Sequence, residues 1–185
     1  HARWTLAAIE AGKHVLCEKP FTSNAAQAVA VRDAAAGTGL VVMEAFHYRY
    51  HPLARRMAGV VREGELGAIE RVETSMCFPL PRFRDIRYQY DLAGGALMDA
   101  GCYAVHCLRM LSPGEPVVTA ARALPLRRDP RIDRAMTAEF TLPGGGTGRI
   151  QASMWSSTLL RIHARVLGTR GTMSVFNYAT PRLPS

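Results

Sequence analysis

Lysine is rare in this chain, and its placement suggests chemistry. Lys13 and Lys19 are the only lysines, and every other basic side chain apart from histidine is arginine. Lys19 lies between Glu18 and Pro20, just after the short apolar run Val15–Cys17, which predicts a buried strand. Open parallel sheets bind ligands at the carboxyl ends of their strands, and an ammonium is a compact donor for such a site. We therefore predict a functional role for Lys19 and a surface position for Lys13.

A second group of reactive side chains lies in a predicted helix from about Ala96 to Leu111. Asp99 and Tyr103 are four residues apart and His106 follows three later, so all three share one helix face. A buried carboxylate and phenol need hydrogen-bond partners, which a pocket would supply. This favours a functional site at Asp99 and Tyr103. The alternative is that Asp99 caps the helix and Tyr103 is a ring of the core. His106, one turn deeper, is either a core residue or part of the same pocket.

Two glycines, Gly94-Gly95, precede this helix. Glycine has no Cβ, so the backbone at this point can come close to a ligand or to another segment of the chain. The sequence leaves these two possibilities open.

The elements that would position Lys19 alternate between helix and strand. The pattern predicts a helix over Ala2–Glu10, a strand over Val15–Cys17, a helix capped by Asn24 and a strand over Leu40–Met43. Such alternation favours a parallel sheet with right-handed crossovers.

From His51 onward the pattern changes. A helix is expected over Pro52–Val61 and a strand over Ile69–Cys77, followed by the helix that carries Asp99. Three further strands, each with one apolar face, are predicted at Arg134–Leu142, Ile150–Met154 and Leu160–Val166. We therefore expect a parallel α/β unit followed by an α+β unit with a mainly antiparallel sheet, joined near residue 47.

Composition excludes several classes of protein. The net charge is +8, but the arginines are scattered and form no stripe interleaved with aromatic residues, so nucleic acid is not an expected partner. No apolar run reaches the ~20 residues that span a bilayer. The four cysteines form no CxxC pair, which favours reduced thiols in a cytoplasmic protein, and no metal site is predicted.

Four segments in order resemble landmarks of the Gfo/Idh/MocA oxidoreductases. They are AGKHVLCEKP (11–20), EAFHYRYHP (44–52), DIR (85–87) and GGALMDAGCYAVH (94–106). The match is closest to the branch with dimeric dihydrodiol dehydrogenase and xylose dehydrogenase. The resemblance implies NAD(P)-dependent hydride transfer between nicotinamide and a sugar, polyol or related carbinol. The active site would lie in the cleft between the two domains.

The resemblance also implies roles for individual residues. Tyr103 would exchange the hydroxyl proton of the substrate, Lys19 would hold its oxygen beside the nicotinamide, and Asp99 would orient substrate or Lys19. Arg87 and His106 would border the substrate. The residues expected to contact the cofactor are His1, Glu18, Lys19 and Pro20.

The family's Gly-rich turn, GxGxxG, is not found in this sequence. We therefore expect residues 1–47 to be the C-terminal part of a dinucleotide-binding Rossmann domain, with the turn upstream. Residues 48–185 would be a C-terminally truncated substrate and oligomerisation domain. The choice between NAD and NADP cannot be read from this piece, which alone would be inactive, and an upstream signal peptide stays open. The resemblance to this family also implies that the intact protein is a homodimer or homotetramer. The alternative is an inactive ligand-sensing or dimerisation module of the same fold.

Overall fold

The computed structural model describes residues 1–180, which form two compact units, His1–His47 and a second that begins at Tyr48. Helices and strands alternate in the first unit, and a mainly antiparallel sheet forms the centre of the second. This is the fold class that the sequence patterns predict. Within residues 1–180, no helix combines the length and the apolar character needed to cross a bilayer.

The first unit contains two parallel strands and two helices. Its elements are α1 (Ala2–Glu10), β1 (Val15–Cys17), α2 (Ala25–Ala35) and β2 (Val42–Glu44). The strands pair in parallel, with Val15 beside Val42. The predicted cap of α2 is confirmed, because Asn24 Oδ1 accepts a hydrogen bond from the backbone N–H of Gln27 at 2.9 Å.

Strand β2 begins later than the sequence pattern suggests. The backbone N–H of Leu40 donates to Thr38 Oγ1 at 3.1 Å, and that of Val41 donates to His14 Nδ1 at 2.8 Å. Side chains therefore take the backbone donors that a longer strand would use. The regular ladder starts only at Val42.

The second unit joins three helical segments to a six-stranded sheet. Its helices are α3 (Pro52–Arg62), a π-helix (Leu97–Gly101) and α4 (Cys102–Leu111), with short 3-10 turns at Ile86–Tyr88 and Tyr90–Leu92. A further 3-10 turn, His47–Tyr50, begins at the last residue of the first unit. Its strands are β3 (Ile69–Cys77), β4 (Val117–Leu126), β5 (Asp129–Thr141), β6 (Thr147–Ser153), β7 (Arg161–Gly168) and β8 (Gly171–Phe176). The strand order is β4-β5-β6-β3-β7-β8.

One pair in this sheet is parallel, which agrees with the expectation of a mainly antiparallel sheet. Strands β3 and β6 run in the same direction, with Thr74 beside Ile150. A parallel pair needs a long crossover connection. Here the connection contains the helical segment over residues 96–111 and the β4–β5 hairpin, and the spacing of apolar residues predicted all of these elements except β4.

Helix α4 packs against one face of the sheet, and the face turned away from α4 is called the open face. The buried Thr74 hydroxyl donates to the backbone carbonyl of Ala104 at 2.8 Å, which ties β3 to the helix. Ile150, Leu108 and Val166 are almost completely buried on this side. Since side chains alternate along a strand, the neighbouring residues face away from the helix, and many are charged or polar.

The packing of this face predicts a clear difference between two substitutions. Ile150→Ala should lower the free energy of unfolding by about 2–5 kcal/mol, because it leaves a cavity in the core. Val118→Ala, at an exposed position on the edge strand β4, should change it by less than ~0.5 kcal/mol. Urea denaturation of both variants measures the two values. Equal losses would contradict the assignment of the buried face.

Candidate functional site

In the first unit, Lys19 follows the carboxyl end of β1. Because β1 and β2 are parallel, Cys17 and Glu44, their last residues, lie at the same edge. Burial raises the pKa of the Glu44 carboxyl above its usual value, while the backbone N–H of Phe21 and the charge of Lys19 act in the opposite direction. Phe21 N donates to Glu44 Oε1 at 2.8 Å. A carboxylate that the sequence analysis did not select therefore interacts with the predicted lysine.

The other residues predicted to contact a cofactor lie in the same unit. Glu18 is exposed, and Lys19 and Pro20 are half-buried. The ring of His1 lies at the start of α1, and its Nδ1 is 2.7 Å from the backbone carbonyl oxygen of Pro20. The structure thus brings His1 to the loop that carries Lys19, although the two are far apart in sequence.

In the second unit, the predicted helix over Ala96–Leu111 exists but is not α-helical throughout. Leu97–Gly101 is a π-helix and α4 starts at Cys102. A π-turn pairs each N–H with the carbonyl five residues earlier, and such turns are frequent at functional sites. Ala96, Ala100 and Ala104 nevertheless form one buried row, so the spacing of apolar residues is compatible with either helix type.

Asp99, Tyr103 and His106 each precede a buried residue of this helix by one position. They therefore lie along the border of its buried face. The side chain of Asp99 is 16% exposed and Tyr103 is 7% exposed. Asp99 and His106 are therefore partly accessible, whereas Tyr103 is buried among its packing partners.

Asp99 belongs to a short chain of charges. Arg87 Nε is 3.2 Å from Asp99 Oδ2, and Arg87 Nη1 is 3.1 Å from Asp85 Oδ1. The backbone N–H of Arg87 lowers the pKa of the Asp85 carboxyl, and the charge of the guanidinium contributes in the same direction. The structure thus brings together Asp99 and Arg87, two residues that the sequence analysis placed at the site on separate grounds.

Tyr103 borders a group of buried rings centred on Tyr48. The Tyr48 ring centroid lies 6.0 Å from that of Tyr103, 5.5 Å from that of His106 and 5.4 Å from that of Tyr178. Tyr48 Oη is 2.6 Å from His106 Nδ1. The buried hydroxyl of Tyr178 has no hydrogen-bond partner within the part of the chain that the structure describes. Tyr48 lies in the EAFHYRYHP segment, but sequence reasoning gave it no role.

The electrostatics of this group keep His106 neutral. Burial, together with the smaller effect of the charges of Arg49 and Arg109, lowers the pKa of the imidazole to about 4. Burial also raises the pKa of the Tyr48 phenol far above its usual value. A neutral imidazole has one nitrogen that accepts hydrogen bonds, so Nδ1 can accept a hydrogen bond from the Tyr48 hydroxyl.

Asp133 is a further residue that the sequence analysis missed. It lies on β5, and its Oδ2 accepts a hydrogen bond from the backbone N–H of Leu97 at 2.7 Å. Burial raises the pKa of the Asp133 carboxyl to about 6, against the opposing effect of the backbone N–H groups that it accepts. Its sequence position, 36 residues from Leu97, gives no local signal of this contact.

The two glycines before the helix approach other parts of the chain closely. A Cβ at Gly94 would lie 2.7 Å from the backbone oxygen of Arg87, and one at Gly95 would collide with Asp133 Oδ1. Close approach to another chain segment, one of the two possibilities left open by the sequence, is therefore what the structure shows. Among residues 1–180, no group of three or more His, Cys, Asp or Glu side chains is arranged to hold a metal ion.

The lowered pKa of His106 predicts how stability depends on pH. The unfolded chain takes up a proton on this histidine near pH 6.5, whereas the folded chain does so only near pH 4. Folded protein should therefore lose stability as the pH falls from about 6.5 towards 4. His106→Asn removes this contribution, so wild type should lose more stability than the variant over that range in thermal unfolding. Parallel pH profiles for the two proteins would contradict the assignment.

Comparisons with known proteins agree with this architecture. Residues 1–46 match the model of the oxidoreductase family with an NAD-binding Rossmann fold, and residues 54–174 match that of the GFO/IDH/MocA C-terminal domain.

Two curated relatives and one solved structure illustrate the similarity. The chain is 42% identical over 156 residues to D-xylose 1-dehydrogenase (NADP(+)) 2 of Haloferax volcanii, covering 83% of this chain and 46% of the relative. It is 31% identical over 180 residues to trans-1,2-dihydrobenzene-1,2-diol dehydrogenase of Macaca fascicularis, covering 96% and 52%. A 3-ketoreductase from Actinomadura kijaniata, solved with NADP and TDP-benzene, superposes with a TM-score of 0.85 at 32% identity, covering 98% of this chain and 55% of that one.

The chain spans about half the length of the curated relatives that it matches. The relatives include both a xylose dehydrogenase and a dihydrodiol dehydrogenase, the branch that the sequence motifs indicate. With a family model matched over more than half of its residues, this chain belongs to the Gfo/Idh/MocA family of oxidoreductases.

Proposed function

We propose that this chain is part of an NAD(P)-dependent oxidoreductase that transfers a hydride between nicotinamide and a carbinol carbon of a sugar or polyol. The observation that carries the proposal is the set of reactive side chains along one helix: Asp99 paired with Arg87, and Tyr103 at the border of the buried face. Relatives named as a D-xylose dehydrogenase, a dihydrobenzene-diol dehydrogenase and a 3-ketoreductase support the same class of reaction.

The first unit offers groups suited to the nicotinamide end of a dinucleotide. Lys19 follows one of two parallel strands at their common carboxyl edge, where open sheets of this kind bind ligands. His1, Glu18 and Pro20 would complete the contacts from the same loop and the start of α1. The cofactor, NAD or NADP, would supply the hydride chemistry at nicotinamide C4.

The protein side chains would manage the substrate oxygen and its proton. Tyr103 would accept or return the hydroxyl proton, since a phenol can both donate and accept. Lys19 would stabilise the negative charge that develops on the oxygen. Asp99, oriented by Arg87 at 3.2 Å, would accept a hydrogen bond from a neighbouring hydroxyl of the substrate. His106 would border the substrate, held by Tyr48 at 2.6 Å.

The assignment of Tyr103 can be tested in the protein expressed from the complete reading frame. Tyr103→Phe should lower kcat by ~10²-fold or more, because it removes a proton-transfer group but keeps the ring and its packing. The affinity for the cofactor should be unchanged, which fluorescence titration of NAD(P)H measures.

Two further variants serve as comparisons for Tyr103→Phe. Lys19→Arg should be nearly as damaging, since the larger guanidinium cannot replace an ammonium in a site built for it. His106→Asn should have a smaller effect on kcat and act mainly through stability. A fully active Tyr103→Phe enzyme with an unchanged pH profile would remove Tyr103 from the mechanism.

We also propose that the second unit forms a homodimer through the open face of its sheet. Four charged residues lie in register across four neighbouring strands: Glu139 beside Arg149, Arg149 beside Glu73, and Glu73 beside Arg165. The row therefore alternates in sign. Arg71 Nη2 lies 2.7 Å from the Glu73 carboxylate and adds a further pair.

This row is complementary to a second copy of itself. A two-fold axis along the strands, passing between β6 and β3, would reverse the row and place Glu139 opposite Arg165, and Arg149 opposite Glu73, of the second copy. Interfaces of this kind use the same patch on both subunits. A stable one would bury at least ~1,200 Å² in total. Assembly of two such dimers into a tetramer is equally compatible with the row.

Charge reversal tests the proposed interface. Glu73→Arg places arginine opposite Arg149 of the second copy and should weaken dimerisation by ~10²-fold or more. Adding Arg149→Glu to this variant restores opposite charges across the two-fold axis and should restore the dimer. Glu63→Arg, at an exposed position after α3, is the control. Light scattering at micromolar concentration gives the mass, and a monomeric wild type would refute the proposal.

A further inference from the structure

Asp133 reaches from the sheet to the beginning of the helix that carries the candidate site. It lies on β5 next to the fully buried Ile132, and its own side chain is partly buried. Its Oδ2 accepts the backbone N–H of Leu97 at 2.7 Å. Leu97 is the first residue of the π-helix, so this hydrogen bond fixes the point at which the helix starts.

Gly95 is shaped to receive the same carboxylate. Its backbone has φ +132°, a conformation that side chains rarely allow, and a Cβ at this position would collide with Asp133 Oδ1. Oδ1 thus lies in the space that a Cβ at position 95 would need, while Oδ2 accepts from Leu97. Only glycine lets Asp133 come this close to the helix start.

The turn held in this way is bonded directly to the candidate site. The backbone N–H of Asp99 donates to the carbonyl of Gly95 at 3.0 Å, and the N–H of Gly95 donates to the carbonyl of Arg87 at 2.8 Å. Arg87 in turn pairs with the Asp99 carboxylate. A shift of Gly95 would therefore move both partners of the Arg87–Asp99 ion pair.

We propose that Asp133 is a positioning residue for the reaction, which sets the placement of the Asp99 carboxylate and the Arg87 guanidinium by holding the turn Gly95–Leu97. The inference rests on the proposed function and adds to it a residue that touches neither substrate nor cofactor. It predicts that the reaction depends on the hydrogen-bond acceptor at position 133 and not on its charge. An asparagine, whose side-chain oxygen accepts in the same way, should therefore replace aspartate.

The experiment compares Asp133→Ala and Asp133→Asn with wild type in the protein from the complete reading frame. The assays are made at pH 8, well above the pKa of about 6 for Asp133. Asp133→Ala should lower kcat by ~10²-fold, the scale of a displacement of about 1 Å in a catalytic group. Its affinity for NAD(P)H should stay unchanged, and Asp133→Asn should recover most of the turnover. Hydrogen exchange of the segment 95–103 should be faster in the alanine variant alone.

A control variant separates positioning from general stability. Thr169 Oγ1 accepts the backbone N–H of Ala68 at 3.1 Å, a contact of the same type at the β7–β8 turn, and Thr169→Ala removes it. This variant should lose thermal stability without loss of kcat. The proposal is overturned if Asp133→Ala keeps full turnover or if Asp133→Asn is as inactive as Asp133→Ala. It is also overturned if the kcat of Thr169→Ala falls along with its melting temperature, because loss of stability alone would then explain the loss of turnover. Absence of turnover in wild type would instead refute the proposed function, and unaltered exchange at 95–103 in Asp133→Ala would then overturn the positioning role by itself.

Discussion

The candidate site depends on how one helix is seated on the sheet. The buried row Ala96, Ala100 and Ala104 lets the helix approach the strands closely, and the Thr74 hydroxyl fixes it by donating to the Ala104 carbonyl at 2.8 Å. Because side chains recur along a helix face, the seating of this row also determines where the preceding residues lie. Asp99, Tyr103 and His106 consequently follow the border of the buried face, with Tyr103 buried and the other two partly accessible.

Two of the reactive side chains on this helix, Asp99 and His106, are held by contacts from other segments of the chain. Asp99 is held by Arg87, and His106 by Tyr48. These contacts limit the movement of the side chains without covering them, which is the arrangement that precise catalysis requires. The same logic applies in the first unit, where the charge of Lys19 acts on the partly buried Glu44.

Local signals in the sequence were sufficient for much of the fold. The cap at Asn24, the position of Lys19 after a strand and the existence of a helix over residues 96–111 each depend on neighbouring residues, and the structure confirms them. The contact between Asp133 and Leu97 and that between Tyr48 and His106 join residues 36 and 58 positions apart. No periodic pattern encodes such pairs. The π-helix was not predicted either, because the buried Ala96, Ala100 and Ala104 have the spacing expected for an α-helix.

The central claim is that the protein carrying this chain transfers a hydride from a sugar or polyol to a nicotinamide. The most direct measurement uses a sugar deuterated at the carbinol carbon, with NAD and NADP in turn and the protein from the complete reading frame. The account predicts that deuterium appears at nicotinamide C4 with one of the two cofactors, detected by mass spectrometry. Reduced cofactor without deuterium, or no reduction with any aldose or polyol of a broad panel, would contradict it.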